Sequence, residues 1–258
     1  MHKKKINFAH YSSIKIGKEV EVALLEAPHD YSKDYFFIGG ANNLLLSNNP
    51  PKLMMLSKKY DYINIENNLL KIGGATPSGK VASFCKKHNI ANFEFLSHLP
   101  GKMGGLVFMN AGLKEYEVFN FLVNITTTEQ TLPKEQIVYG YRKTNIDKPI
   151  LEATFTLEKG FDKTKVELFK KMRSNQPKLP SAGSCFKNPQ GDYAGRLIEA
   201  VGLKGYRVGA MEFSKVHANF LVNHGGGLYE DALYLIQEVQ KRVLQEFNIA
   251  LELEIQVV

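Results

Sequence analysis

Apolar residues along this chain fall first into short runs cut by turn residues and later into longer helical periods. The first sixty residues read as short strands: YFFIGG at 35–40 and LLL at 44–46, the latter ended by Ser-Asn-Asn-Pro-Pro. From Ser78 to His88, Val81, Ala82, Phe84, Cys85 and His88 recur every three to four positions, which predicts a helix started by Thr76-Pro77-Ser78. Apolar and β-branched runs follow at 104–109, 118–126 and 150–157. A charged stretch at 158–183 then predicts a lysine-rich helix and a proline-punctuated connection at Gln176–Pro180. Beyond it, Ala194, Leu197, Ile198 and Val201 share one helical face, 217–223 is an apolar strand, and a helix at 228–247 aligns Ala232, Leu235, Ile236, Val239, Val243 and Phe247. The end alternates Leu251, Leu253, Ile255 and Val257 with Glu252, Glu254 and Gln256, the period of a strand with one polar face.

Composition narrows the class. With 258 residues, 44% hydrophobic and 23% charged, the chain can bury a sizeable core and is not disordered or fibrous. Its two cysteines, Cys85 and Cys185, stand far apart, which excludes a disulfide framework and a paired-cysteine zinc site, so no metal is expected and a reducing compartment is. No stretch approaches the roughly 20 apolar residues of a membrane span, and the basic N-terminus has no apolar core behind it, so neither membrane insertion nor secretion is expected. The formal charge of +7 is compatible with nucleic acid, with phosphorylated small molecules or with a plain basic surface. Dispersed lysines argue against nucleic acid, whose binders cluster Lys and Arg among exposed aromatics.

Glycine placement is more telling than glycine content. GATPSGKV at 74–81 imitates a phosphate-cradling P-loop, but Val81 stands where Ser or Thr would hold magnesium, so a strand turning into a helix is the better reading. Gly39-Gly40, Gly73-Gly74, Gly101 and Gly104-Gly105 each abut an apolar run, where bare backbone approaches a ligand closely and offers amides to phosphate. Several such turns without a Rossmann fingerprint suggest a dinucleotide held by several loops.

The segment HLPGKMGGLVFMNAG (98–112), together with IGGANNLLL (38–46), YGYRKT (139–144), SAGSCFKNP (181–189) and KVHANFLVN (215–223), resembles the bacterial UDP-N-acetylenolpyruvoylglucosamine reductases. The motifs run in the family's order from about residue 8 to the C-terminus. The resemblance implies an α+β chain with an FAD-binding fold of the vanillyl-alcohol-oxidase type, two α+β subdomains at 1–60 and 61–158, and an α+β substrate domain at 159–248. The final strand, 249–258, is then expected to return to the FAD module. It further implies a cytoplasmic enzyme of peptidoglycan precursor synthesis with FAD as cofactor, NADPH as co-substrate, a UDP-sugar substrate and a monomer as the favoured state.

Hydride addition to an enolpyruvyl methylene pushes electrons toward the carboxylate, so the reaction needs a cation or acid there and a proton donor at the neighbouring carbon. By resemblance, Arg142 is the cation, Ser184 the proton donor and Glu254 the catalytic glutamate. Pattern alone leaves Glu252 equally eligible; the motif selects Glu254. The FAD pyrophosphate falls to Gly39, Gly40, Ala41, Asn42, Asn43 and Leu44 and to Pro100, Gly101, Lys102, Gly104 and Gly105, with Gly74, Asn110 and Ala111 nearby. Asn188 and Lys187 are matched to the substrate diphosphate, and Tyr141 and His217 to the substrate site. Cys185 is expected to be a packed free thiol rather than a nucleophile.

Some positions depart from the family's pattern. Ala41 and Asn42 stand where glycine and serine are usual, which stiffens that turn; Leu113-Lys114-Glu115 replaces Ala-Tyr-Gly after the NAG; and Gln256 stands where arginine is usual. No tyrosine-bearing extra loop is visible, as in the family's shorter second type. The alternative, another FAD-dependent oxidoreductase of the same fold, is disfavoured by GSCFKNP and KVHANF, which belong to the reductases' substrate domain.

Overall fold

The β-branched and aromatic runs at 118–126 and 150–157 pair with each other. Leu122–Thr127 and Ile150–Thr156 form the middle of an antiparallel five-stranded sheet completed by Thr131–Pro133, Leu69–Gly73 and Ile63–Glu66. Ile150–Thr156 is central and buries Ile150, Leu151, Ala153, Thr154 and Phe155, which explains its near-continuous apolar sequence. A second sheet places Leu53–Leu56 between Phe36–Phe37 and the Val22–Leu25 part of its other neighbour, both parallel to it.

The structure, a computed structural model, describes residues 1–258, and the chain divides into two compact units. The first comprises Met1–Lys4, Val22–Gly40 and Lys52–Ser174; the second comprises Lys5–Glu21, Ala41–Pro51 and Asn175–Val258. Unit 1 holds both sheets above, apart from segments at the ends of its two N-terminal strands, and a core in which Leu70, Ile72, Val81, Phe93, Phe119, Ile125 and Phe155 are buried. The expected helix spans Ser78–Lys87, buries Val81, Ala82 and Cys85, and carries Lys86 and Lys87 in its last turn, where cations suit the helix dipole. The run at 104–109 is helical as well, within Met103–Phe108.

The lysine-rich helix, Lys163–Met172, packs into unit 1 although the change of composition at Glu158 predicts a boundary before it. Its anchor is Phe169, whose ring lies 4.8 Å from that of Tyr116 and 6.3 Å from that of Phe95. The Asp162 N–H donates to the buried Glu94 carboxylate at 2.8 Å and fixes the entry to the helix. Phe169 and the partly buried Met172 pack against the unit 1 core, because charge content does not decide which face is buried.

Unit 2 contains an antiparallel sheet in the order Ser181–Ser184, Phe220–Asn223, Met211–Phe213, Arg207–Val208. The helices Ala194–Ala200 and Tyr229–Phe247 contribute Leu197, Ile198, Leu235, Ile236 and Val239 to its core, and the long helix stops at Asn248 with a left-handed φ of 55°. Two N-terminal segments join this core through Ile14, Ile16 and Leu45, and the Asn223 amide donates to Ile14 O at 2.9 Å and Lys15 O at 3.2 Å.

The chain end is not one continuous strand. Leu253 makes an isolated bridge with Phe186, residues 254–255 bend, and only Gln256–Val257 pair, parallel to Leu44–Leu45. The N–H groups of Glu254 and Ile255 both point at Cys185 O, at 2.9 and 3.4 Å. Successive N–H groups of a straight strand point in opposite directions, so this convergence requires the bend. Glu254 is therefore half-buried, whereas Glu252 and Gln256 are exposed.

Candidate active site

In unit 1 the glycine turns meet. Gly104 N–H donates to Gly74 O at 2.9 Å, Gly74 N–H donates to Leu151 O at 2.7 Å, and Ser78 N–H donates to Gly101 O at 2.9 Å. A Cβ on Gly74 would fall 2.1 Å from Ile150 O, and one on Gly104 would fall 3.1 Å from the same atom, so these two glycines serve close backbone packing. Gly39 and Gly105 differ. A Cβ on Gly39 would meet only the Gly105 Cα, at 3.9 Å, and one on Gly105 would meet nothing within 4 Å. The absent side chains leave room for close approach at these two positions, as the flavin that the motifs imply would need. Lys102 beside them is half-buried, and burial pulls its pKa down while Asp61 opposes the shift. Pro100 is exposed and Gly40 half-buried.

Asn110 and Ala111 face inward. Ala111 is 3% exposed and Asn110 0%, and the Asn110 side chain is spent inside the protein. Its Nδ2 donates to Glu117 Oε2 at 2.8 Å and to Gly140 O at 3.2 Å, and its Oδ1 accepts from Phe119 N–H at 3.3 Å. Arg142, two residues beyond Gly140, has a left-handed φ of 54°. Its guanidinium donates to Asn110 O at 3.3 Å and Gly112 O at 2.8 Å and lies 5.0 Å from the centre of the exposed Tyr141 ring. Arg173, at the end of the lysine-rich helix, is half-buried; burial first and the charge of Arg142 second hold its pKa below the usual arginine value. The lysine-rich sequence around it offered no signal that this residue differs from its neighbours.

In unit 2 Ser184 ends the strand Ser181–Ser184 and is half-buried. The bend ties the main chain of Glu254 to the residue after Ser184, since Glu254 N–H donates to Cys185 O at 2.9 Å. Cys185 is fully buried, and burial, reinforced by Glu254, pushes its thiol well above the ordinary value, so it packs rather than reacts. The loop that carries both residues is clamped by Asn219, which is 3% exposed. The Asn219 Oδ1 accepts from Phe186 N–H at 3.0 Å, its Nδ2 donates to Phe186 O at 2.8 Å, and its carbonyl accepts from Cys185 N–H at 2.7 Å. Asn219 lies inside the KVHANFLVN motif, and that motif was its only signal.

The remaining unit 2 residues are partly engaged. Lys187 is ion-paired with Glu252, and Asn188 Oδ1 accepts from Ala194 N–H at 3.1 Å at the start of a helix. His217 Nδ1 accepts from Asn219 N–H at 3.3 Å, and burial lowers its pKa, which favours the neutral ring. Ala41 takes a left-handed φ of 53°, the conformation that makes glycine usual there, and Leu44 is 4% exposed. Asn42 Nδ2 donates to Ser13 Oγ at 2.7 Å, and Asn43 Nδ2 donates to Glu254 O at 2.8 Å. An open cavity of about 440 Å³ in unit 1, lined by Ala82, Lys86, Ser97, Phe161, Lys163 and Glu167 among others, contains none of the expected residues.

The family model for the UDP-N-acetylenolpyruvoylglucosamine reductase C-terminal domain matches residues 175–258. The whole chain is 48% identical over 256 residues to the UDP-N-acetylenolpyruvoylglucosamine reductase of Helicobacter hepaticus, covering 98% of this chain and 97% of that protein. The chain belongs to the UDP-N-acetylenolpyruvoylglucosamine reductase family. The reductase of Campylobacter jejuni strain RM1221 is 45% identical over 255 residues, covering 97% of this chain and 98% of its own. The crystal structure of the reductase from Thermus caldophilus superposes with a TM-score of 0.87 at 27% identity, over 100% of this chain and 99% of that one. The α+β fold expected from the motifs is therefore the fold of the reductase family. No helix is long and apolar enough to cross a membrane.

Proposed function

We propose that this chain is a cytoplasmic NADPH-dependent flavoenzyme that reduces the enolpyruvyl group of UDP-N-acetylglucosamine enolpyruvate to UDP-N-acetylmuramate, a step of peptidoglycan precursor synthesis. The observation that carries this reading is the likeness, along nearly the whole chain, to proteins named as that reductase. Gly39, Gly40, Ala41, Asn42, Asn43, Leu44, Gly74, Pro100, Gly101, Lys102, Gly104 and Gly105 would hold FAD, which when bound supplies as hydride the two electrons taken from NADPH.

The chain's own residues handle charge and protons. Hydride added to the methylene carbon leaves an electron pair on the neighbouring carbon, delocalised into its carboxylate. Arg142 is the cation that stabilises this charge, and its guanidinium is already oriented by two backbone carbonyls. Ser184 gives its hydroxyl proton to the neighbouring carbon, that C–H bond completes the product, and the serine alkoxide left behind regains a proton from solvent. Glu254 is the catalytic glutamate of this reading, on the bend whose N–H donates to Cys185 O. Tyr141, Lys187, Asn188 and His217 are assigned to the sugar nucleotide.

The flavin absorbance of the FAD-reconstituted protein tests the reading: NADPH should bleach it, and UDP-N-acetylglucosamine enolpyruvate should restore it under anaerobic conditions. Restoration by oxygen but not by the sugar nucleotide would point to an oxidase of the same fold instead.

A further inference from the structure

Resting on the reading of Arg142 above, we propose that Asn110 and Glu117 form a positioning pair that aims the Arg142 guanidinium, and that Asn110 is not a flavin ligand. Two acceptors of the guanidinium, Asn110 O and Gly112 O, lie on one short segment. That segment pairs with the strand Tyr116–Glu117, Gly112 directly opposite Glu117. The approach is so close that a Cβ on Gly112 would fall 2.4 Å from Tyr116 O and 2.8 Å from Glu117 Cα. The Asn110 amide then ties three pieces together, donating to Glu117 Oε2 and to Gly140 O and accepting from Phe119 N–H.

Asn110 thus holds the acceptor side of the arginine through its own carbonyl and the backbone side through Gly140. Both ends of this linkage are in left-handed conformations, φ 43° at Asn110 and 54° at Arg142, which persist only where surrounding contacts over-determine them. Glu117 orients the amide: its carboxylate can only accept, so the Asn110 nitrogen must face it and the oxygen must face Phe119 N–H. What the device needs from Glu117 is an acceptor, not a charge.

The test uses the flavin-loaded enzyme and separates the two half-reactions by stopped-flow absorbance. Glu117→Ala should slow flavin reoxidation by the sugar nucleotide by about tenfold to a hundredfold, the scale of a small misplacement of a catalytic group. Flavin reduction by NADPH and flavin affinity should change by less than about twofold. Glu117→Gln, which keeps the acceptor, should recover most of the lost rate. In an Arg142→Ala background, Glu117→Ala should slow reoxidation no further, because the group it positions is gone. Slowing in Glu117→Gln equal to that in Glu117→Ala would overturn the acceptor role, and additive slowing in the double variant would overturn action through Arg142. A normal reoxidation rate in Arg142→Ala alone would overturn the functional reading of Arg142 itself. Should Glu117→Ala not fold, Glu117→Asp, which withdraws the carboxylate by one methylene, replaces it with the same outcomes.

Discussion

The Asn43 side chain donates a 2.8 Å hydrogen bond to the main-chain carbonyl of Glu254, while Asn43 O accepts from Gln256 N–H at 2.9 Å. A residue expected to touch a flavin thus also splints the bend that carries Glu254, the proposed catalytic glutamate. Asn43→Ala should cost about 1 kcal/mol in urea unfolding, the worth of one such bond. Asn43→Asp should cost more, since a carboxylate cannot donate and would face a carbonyl. Equal midpoints for wild type and both variants would remove the splint.

Ser184→Ala should leave flavin reduction by NADPH intact and slow reoxidation by the sugar nucleotide by about a hundredfold or more, the scale of a lost general acid. Glu254→Gln should slow the same half-reaction. Pre-steady-state traces that show both half-reactions slowed alike would contradict the proton-donor assignment.

The thiols give a chemical prediction. Burial pushes Cys85 up to about 12 and Cys185 well above its ordinary value, so neither is a thiolate at about pH 8, near the ordinary thiol range. Ellman's reagent should find no reactive thiol in the native protein and both after denaturation. Rapid labelling of native Cys185 would show that its loop opens.

Lys114 occupies a left-handed turn position, φ 53°, in the Gly112–Glu117 hairpin, with its side chain exposed. Lys114→Gly removes that strain without losing burial and should raise stability by up to about 1 kcal/mol, seen as a higher Tm. An unchanged or lower Tm would mean that the longer side chain has a packing role.

A carboxylate supplies the pH prediction. The Arg196 hydrogen bond first, and the Tyr193 N–H second, lower Asp192 from 3.8 to about 2. A depressed carboxylate favours the folded state fully above its unfolded value and loses that contribution as pH falls through the folded one, so the loss belongs between pH 3.8 and about 2. A carbon-detected NMR titration should place the Asp192 midpoint near 2 in wild type and closer to 3.8 in Arg196→Leu. Identical midpoints would mean that the pair does not hold in solution.

Helices with a continuous periodic face were legible in advance, since Ser78–Lys87 and Tyr229–Phe247 repeat their apolar residues locally. The C-terminal alternation misled in one respect: period two describes a strand, but the convergence of two N–H groups on Cys185 O bends the chain at Glu254. The lysine-rich helix was legible as a helix, whereas its place in unit 1 rests on Phe169, and nothing in its own charge pattern reveals the partner.

The sequence by itself determined the family, through motifs whose order and residue types suffice, and the positions of the long helices, through a period set within a few residues. The tertiary structure alone decided which motif side chains are spent on partners inside the protein. Asn43 and Glu254 stand 211 positions apart, and Asn110 meets Gly140 across 30. A buried amide must find its partners wherever the fold supplies them, and no local pattern encodes partners so distant.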